Sequence, residues 1–484
     1  MIASLISGYS RVHTMGRKKD REPKFYENLA ITNAGSEGKS IARIDGMVIM
    51  VEYAVPGDIV DARVILKKRS FETAVITKII SPSPDRVEAF CQHFGTCGGC
   101  KWQQMNYETQ LKYKQQQVLD AFERIGKFEF PPLEPIIGSV KTRYYRNKLE
   151  YSFTDRRWLT QITDIGSLTK AQNAGLGYHI PGRFDKVFDV DTCYLMDDLQ
   201  NQIRNSIKEF CTLHDYDFFN LYGQTGLMRN LLLRNNLKGE WMLIVSFGYE
   251  DLEKRTALLD YIHISFPQIT SLLYVINDKK NDTIHDLEIK VFSGDDFILE
   301  NLEDLQFKIG AKSFFQTNTE QTLNLYSKTR EFAQLTGNER VYDLYTGVGT
   351  IALFLAKHCK NIIGIEYVEQ AIEDAHKNAA LNHITNAAFF AGDMKDLLSK
   401  NFAETNGYPD VVITDPPRAG MHEDVIKQLM EMKPKRIVYV SCNPATQARD
   451  IALMTDHYRV TKVQPVDMFP HTHHVENIAL LELI

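Results

Sequence analysis

Long apolar runs are missing from this 484-residue chain: no stretch approaches the 18 or so consecutive apolar residues of a membrane span. The first twenty residues hold only short apolar runs and end in the basic cluster Arg17-Lys18-Lys19. A signal peptide needs the opposite order, so none is expected, and the protein is expected to be cytoplasmic. Met15, just before the basic cluster, is a second candidate start. Cysteine is scarce, with 7 in the whole chain, which excludes a disulfide framework. Compositional bias is absent too: 44% hydrophobic and 24% charged residues exclude a mainly disordered or fibrous chain. At this length a prior of roughly 150 residues per domain gives about three domains.

Net charge is −6, with no large excess of either sign. Its distribution is uneven: residues 1–150 hold 23 Lys+Arg against 17 Asp+Glu, and the remainder 33 against 45. A basic face near the N-terminus and an ordinary solvated surface explain that excess equally well. Charge alone assigns no partner.

Segments 41–44, 47–53, 59–66 and 73–80 are rich in Val, Ile and aromatics, and turn residues separate them. Four or five short strands in so few residues predict a small closed barrel of the oligonucleotide-binding type, followed by the stiff linker Ser81-Pro82-Ser83-Pro84. A helix is expected over 107–125, with Leu111, Val118, Leu119, Phe122 and Ile125 as its apolar positions. From 144 to 315 strand and helix signals mix, giving a central domain of mixed α+β type whose topology the pattern does not yield. From residue 340 the rhythm is regular. Strands over 340–345, 361–366, 387–391, 411–415 and 436–441 alternate with helices, which predicts a doubly wound parallel sheet. Segments 459–468 and 477–483 predict an antiparallel hairpin at its edge.

Residues Tyr345-Thr346-Gly347-Val348-Gly349 form a glycine turn between a strand and a helix, without the third glycine of the dinucleotide fingerprint. Glu366 ends the next strand, 19 residues after Gly347, the separation at which an acid accepts from ribose hydroxyls. Asp343 precedes the turn. Such an arrangement is that of Rossmann-like sheets that bind S-adenosylmethionine. Two further turns, Asp415-Pro416-Pro417-Arg418 and Ser441-Cys442-Asn443-Pro444, end the fourth and fifth strands and should face the same cleft. A lone cysteine is usually a small core residue. At a strand end beside a methyl donor, Cys442 reads instead as a nucleophile. That pairing fits an unreactive carbon acceptor, carbon 5 of uracil, which becomes nucleophilic once a thiolate adds at carbon 6. A base must then remove the carbon 5 proton. The run Pro470-His471-Thr472-His473-His474-Val475-Glu476 offers Glu476 as that base; its histidines lack the acidic partners of a metal site.

These motifs, with Phe314-Phe315-Gln316-Thr317-Asn318 and Tyr144-Tyr145-Arg146-Asn147-Lys148, closely resemble the RNA uracil-5-methyltransferase family over nearly the whole chain from about residue 24. The resemblance implies Cys442 as nucleophile and Glu476 as base. It implies Gln316, Tyr345, Glu366, Asp393 and Asp415 as contacts for S-adenosylmethionine. Thr346 and Thr350 stand where the family often has Cys or Gly, and Asn.

Cys91, Cys97, Cys100 and the distant Cys193 give four thiolates, which by chemistry alone suit zinc or an iron–sulfur cluster. The segment resembles the 4Fe-4S loop of the 23S rRNA branch of the family, with Cys193 matching the fourth ligand. Residues 24–82 resemble the TRAM domain of that branch, an RNA grip in which Lys67, Lys68 and Arg69 would contact phosphates. The expected organisation is a flexible tail over 1–23, the TRAM barrel over 24–82, a central domain with the cluster loop over 83–315, and the methyltransferase domain over 316–484. The expected product is 5-methyluridine in 23S rRNA. Some tRNA-modifying relatives keep both barrel and cluster, so tRNA is the alternative substrate, ahead of a non-catalytic RNA-binding protein. Neither a membrane nor an obligate protein partner is expected.

Overall fold

A computed structural model describes residues 23–160 and 168–484, so the expected tail falls almost entirely outside the described residues. Seven strands form the C-terminal sheet: β1 (Arg340–Leu344), β2 (Asn361–Glu366), β3 (Ala387–Ala391), β4 (Val411–Thr414), β5 (Arg436–Ser441), β6 (Tyr458–Val466) and β7 (Glu476–Leu483). Their order is β3-β2-β1-β4-β5-β7-β6, and β1 to β5 are parallel. Strand order reverses between β1 and β4, the switch point at which such sheets open a crevice at their carboxyl ends. The Val- and Ile-rich strands have both faces covered, which is why they read as apolar runs without alternation. The tail does form an antiparallel hairpin, but β7 lies inside, between β5 and β6, so only β6 is at the edge.

The central region is a second seven-stranded sheet, ordered 290–294, 269–276, 241–247, 228–235, 148–154, 175–180 and 183–189. One pair is parallel, Trp241–Phe247 with Ile269–Ile276, and helix Leu252–Ser265 connects them. Period-2 alternation splits its side chains. Leu231, Leu233, Leu243 and Val245 pack into the central region's own core. Leu232, Met242 and Ile244 join the core of the C-terminal sheet. Two buried faces erase the polar half of the pattern, which explains why the topology could not be read from the chain.

The N-terminal strands pair in the order 25–30, 59–67, 71–81, 47–52, 40–44 and 33–34. This corrects the expected barrel: the sheet is six-stranded and its ladder does not close. Its two edges are consecutive in the chain, bridged by Ile31 and Thr32, whose amides donate to Asp58 and Ile41 carbonyls. A two-residue strand at one edge and an irregular register between Tyr26 and Leu29 at the other leave too few aligned groups to complete a ring. The proline-containing linker is also less free than expected. Buried Asp58 accepts from the Ser83 amide at 2.8 Å and from Arg86, fixing it to the sheet.

The helix expected over 107–125 runs over Tyr107–Ala121, capped by Asn106, and ends in one π-helical turn, Phe122–Gly126. Val118 and Phe122 are buried as expected, but the rest of the buried face differs. Gln110, Lys114, Val118 and Ala121 are inside, whereas Ile125 is half exposed. Among the described residues no helix is long and apolar enough to cross a membrane.

Candidate active site

At the end of β1 the chain makes its glycine turn with three left-handed residues, Tyr345 (φ 63°), Gly347 (φ 55°) and Gly349 (φ 79°). Gly349 is packed: a Cβ there would sit 3.0 Å from the Phe389 ring and 3.1 Å from Ala375. At Gly347 a Cβ would meet nothing within 4 Å, so this backbone borders open space through which a ligand can approach closely. Tyr345 has no such excuse, and a non-glycine residue there carries local strain of about 1–3 kcal/mol. Asp343 is buried beneath the turn and accepts from Thr346 Oγ1 and the Ala352 amide. It therefore shapes the loop from behind. Burial pushes its carboxyl up to about 7, and its Oδ1 is without a partner. Glu366 accepts from the Gly347 amide (3.2 Å) and the Val368 amide (3.0 Å), tying the end of β2 to the turn. Asp393 lies beside that end, but its carboxylate caps the helix Met394–Leu397 and pairs with Lys395 at 3.1 Å.

The candidate reacting groups meet one strand further on. Ser441 of β5 pairs with Asn477 of β7, so the next position outward sets Cys442 opposite Glu476. Asn443 caps the helix Pro444–Ala452, and its amide side chain donates to the Arg418 carbonyl at 3.1 Å, joining the two turns. The Asp415 amide reaches the Leu344 carbonyl at the switch point. Burial dominates the electrostatics. It pushes Glu476 up to about 8, with Asp415 adding to the rise. It pushes Asp415 up to about 7 and Cys442 up to about 11, and the two carboxylates raise the thiol further. The nearby Arg418 guanidinium opposes this, favouring the thiolate. It also lies 2.8 Å from His474 Nδ1. Tyr326, from helix Thr319–Ala333, brings its hydroxyl within electrostatic reach of Asp415, Asp343 and Glu476, and hydrogen-bonds Thr350 at 3.0 Å.

The two upstream motifs are one structural unit. Asn147 donates through its side chain to the Gln316 carbonyl (2.9 Å) and to Thr319 (2.9 Å), and through its amide to the Thr317 carbonyl. Gln316 is buried there, while Phe314 is exposed.

The loop leading to Glu476 is gripped from the N-terminal half of the chain, which the sequence reading missed. Lys114 forms a fully buried ion pair with Asp467 and donates to the Phe469 carbonyl at 2.9 Å. Gln110 accepts from the His471 amide (2.9 Å), and Tyr145 donates to the Pro470 carbonyl (3.0 Å). Polar residues spaced four apart, in line with Val118, were the available signal. His471, His473 and His474 are kept neutral by burial, lowered to about 4, 4 and 3.

The four cysteine thiols lie within electrostatic reach of one another, among Phe94, Tyr178 and Phe188. Burial raises Cys97 to about 11 and Cys100 to about 12. Among the described residues, no three His, Cys, Asp or Glu side chains are arranged to hold a single metal ion. The expected 4Fe-4S site at Cys91, Cys97, Cys100 and Cys193 therefore has no counterpart among the metal-holding groups of the described residues. The thiols converge without closing round one ion. The following residues, Lys101 and Trp102, donate their amides to the His471 carbonyl, so this loop abuts the one carrying Glu476. Trp102 Nε1 also reaches the Gly38 carbonyl of the N-terminal sheet at 3.1 Å.

A family model described as tRNA (uracil-5-)-methyltransferase matches residues 285–484. RNA methyltransferases of Bacteroides thetaiotaomicron and Porphyromonas gingivalis, both described as uncharacterized, are each 54% identical; the matches span 93% and 94% of this chain and 99% of each relative. The crystal structure of Pyrococcus abyssi tRNA (uracil-54, C5)-methyltransferase in complex with S-adenosyl-L-homocysteine is 30% identical. It covers 93% of this chain and 99% of its own, with a TM-score of 0.72.

Proposed function

The chain belongs to the RNA uracil-5-methyltransferase family, and from that premise we propose that it makes 5-methyluridine in 23S rRNA, with Cys442 as nucleophile and Glu476 as base. The observation that carries the assignment of roles is the β5–β7 register, which sets the thiol opposite a buried carboxyl at the carboxyl ends of the strands. Carbon 5 of uracil is activated when Cys442 Sγ bonds to carbon 6. Arg418, the cation beside that sulfur, favours the thiolate against the burial that opposes it. S-adenosylmethionine supplies an electrophilic methyl group. Glu476 then takes the carbon 5 proton, and the carbon–sulfur bond breaks to restore the double bond. A carboxyl raised to about 8 is well matched to this task, because a base works best with a pKa near the operating pH. The target must leave its stack to reach this cleft.

For the cofactor, Gln316, Tyr345, Glu366, Asp393 and Asp415 form the proposed contact set. The open backbone at Gly347 and the unpartnered Asp343 Oδ1 fit a polar ligand at this turn. Asp393 joins only by releasing Lys395. Cys91, Cys97, Cys100 and Cys193 would hold a 4Fe-4S cluster, which would brace the loop. The N-terminal sheet would act as a TRAM-like RNA grip, and RNA chemistry suits a cytoplasmic setting.

Methylation of tRNA is the competing reading, supported by similarity to the archaeal tRNA enzyme. Labelled-methyl transfer to naked 23S rRNA and to purified tRNA, each digested to nucleosides, separates the two. Labelled 5-methyluridine from tRNA alone would overturn the ribosomal assignment.

A further inference from the structure

Two residues that flank the outermost cysteines in sequence meet in space: Phe90, before Cys91, and Tyr194, after Cys193. Their rings pack edge to face, with centroids 5.5 Å apart. Tyr144 extends the group, 6.1 Å from Tyr194, and its amide donates to the Tyr194 carbonyl. The Arg143 guanidinium lies over the Phe90 ring at 3.8 Å. On the inner side Phe90 packs against His471 at 5.0 Å, five residues before Glu476 in the chain. Tyr144 is 43% exposed and held at φ 56°, a conformation costly for a side chain that serves only as surface. Arg143 makes no ion pair among the described residues.

Resting on the RNA-substrate reading, we propose that Tyr144, Tyr194 and Arg143 form a stacking platform for an unpaired RNA base beside the uridine that enters the catalytic cleft. Aromatic rings and guanidinium planes accept bases of any identity, because every base has a π-face. Phosphate is the less suitable occupant. Asp197 and Asp198 lie within electrostatic reach of the Tyr144 hydroxyl and offset the single arginine. On this account the cysteine loop fixes Phe90 and Tyr194 in register, linking its fold to RNA capture without entering the chemistry.

The test compares wild type, Tyr144→Leu, Tyr144→Phe and Arg143→Ala in the full-length protein, by fluorescence anisotropy. The probes are a short single-stranded RNA of mixed sequence and a blunt RNA duplex of equal charge. Leucine keeps the bulk and the backbone strain but loses the π-face. It should weaken single-strand binding by roughly 5- to 150-fold, while phenylalanine restores it and duplex binding is unchanged. Arg143→Ala should follow Tyr144→Leu in direction. Single-strand affinity unchanged in both Tyr144→Leu and Arg143→Ala overturns the platform, as does an equal loss on the duplex, which marks a phosphate contact or misfolding. If wild type binds neither probe, nor tRNA, nor 23S rRNA, the RNA-substrate reading itself falls.

Discussion

The two sides of the cleft are built on opposite terms. On the cofactor side the polar groups are largely spent on the protein itself: Glu366 on two backbone amides, Asp393 on Lys395 and its helix cap. On the reacting side Glu476, and with it Asp415 where the two sides meet, accepts no hydrogen bond among the described residues, and burial pushes the two carboxyls up to about 8 and 7. One side is preorganised by backbone geometry. The other holds carboxyls raised to about 7 and 8, so a proton can be held or released there near neutral pH. The difference teaches which side waits for its substrate.

The largest effects should come from breaking the reacting side. Cys442→Ala should transfer no methyl and form no covalent RNA adduct. Glu476→Gln should still add and transfer, then stall, losing about 10²–10⁴-fold in turnover and migrating on a denaturing gel as a labelled protein–RNA species. Wild-type turnover in Glu476→Gln would hand the base role to His473 or His474.

On the cofactor side the expected loss is smaller and confined to binding. Glu366→Ala removes a charged acceptor worth about 1.5–3 kcal/mol, so titration calorimetry with S-adenosylhomocysteine should show roughly 10- to 150-fold weaker affinity. A variant that binds normally but turns over slowly would dissolve the contrast.

Stability against pH sharpens it next. Asp343, Asp415 and Glu476 have folded values of about 7, 7 and 8, above their ordinary 3.8, 3.8 and 4.5. Between about pH 4 and 8 the folded state therefore holds more protons than the unfolded, and stability falls as pH rises. Each unit of upward shift costs about 1.4 kcal/mol once pH exceeds both values. Glu476→Gln should flatten the fall of Tm in calorimetry from pH 5 to 8.5 and melt above wild type at the alkaline end. Parallel curves would show that Glu476 is solvated.

The smallest effect is expected far from the cleft. Lys67 is 3.4 Å from buried Glu72, which also pairs with Lys24, so only Lys68 and Arg69 of the basic turn carry uncommitted charge. Replacing all three with Ala should lower the salt slope of single-stranded RNA binding by about 1.5 rather than by three full contacts. An unchanged slope would remove this turn from the RNA path.

Much of the C-terminal sheet was legible because the parallel strands are short apolar runs, four of the five followed within three residues by Gly, Pro or Asp. There the turn residues are also those to which we assign the chemistry: Gly347, Asp415 and Cys442. What stayed hidden was decided by distant partners. Gln110 and Lys114 look like a solvated helix face and become core only because Asp467 and His471 meet them. The open N-terminal sheet has the strand pattern of a barrel, and closure depends on edge alignment that no local pattern encodes. Arg418 was visible in its motif, but its place beside both Cys442 and His474 needed the two turns brought together.

The Lys114–Asp467 pair spans 353 residues of chain. At synthesis rates of about 5–20 residues per second, the lysine leaves the ribosome roughly 20–70 s before its counter-ion exists. A lone ammonium cannot enter an apolar interior, so the helix Tyr107–Ala121 has to wait on the surface with its inner face wet. Its docking, and with it the fixing of the segment that bears Glu476, is thus a late event in the life of the nascent chain. A growing polypeptide that already displays its N-terminal sheet has not yet fixed the segment that sets Glu476 opposite Cys442.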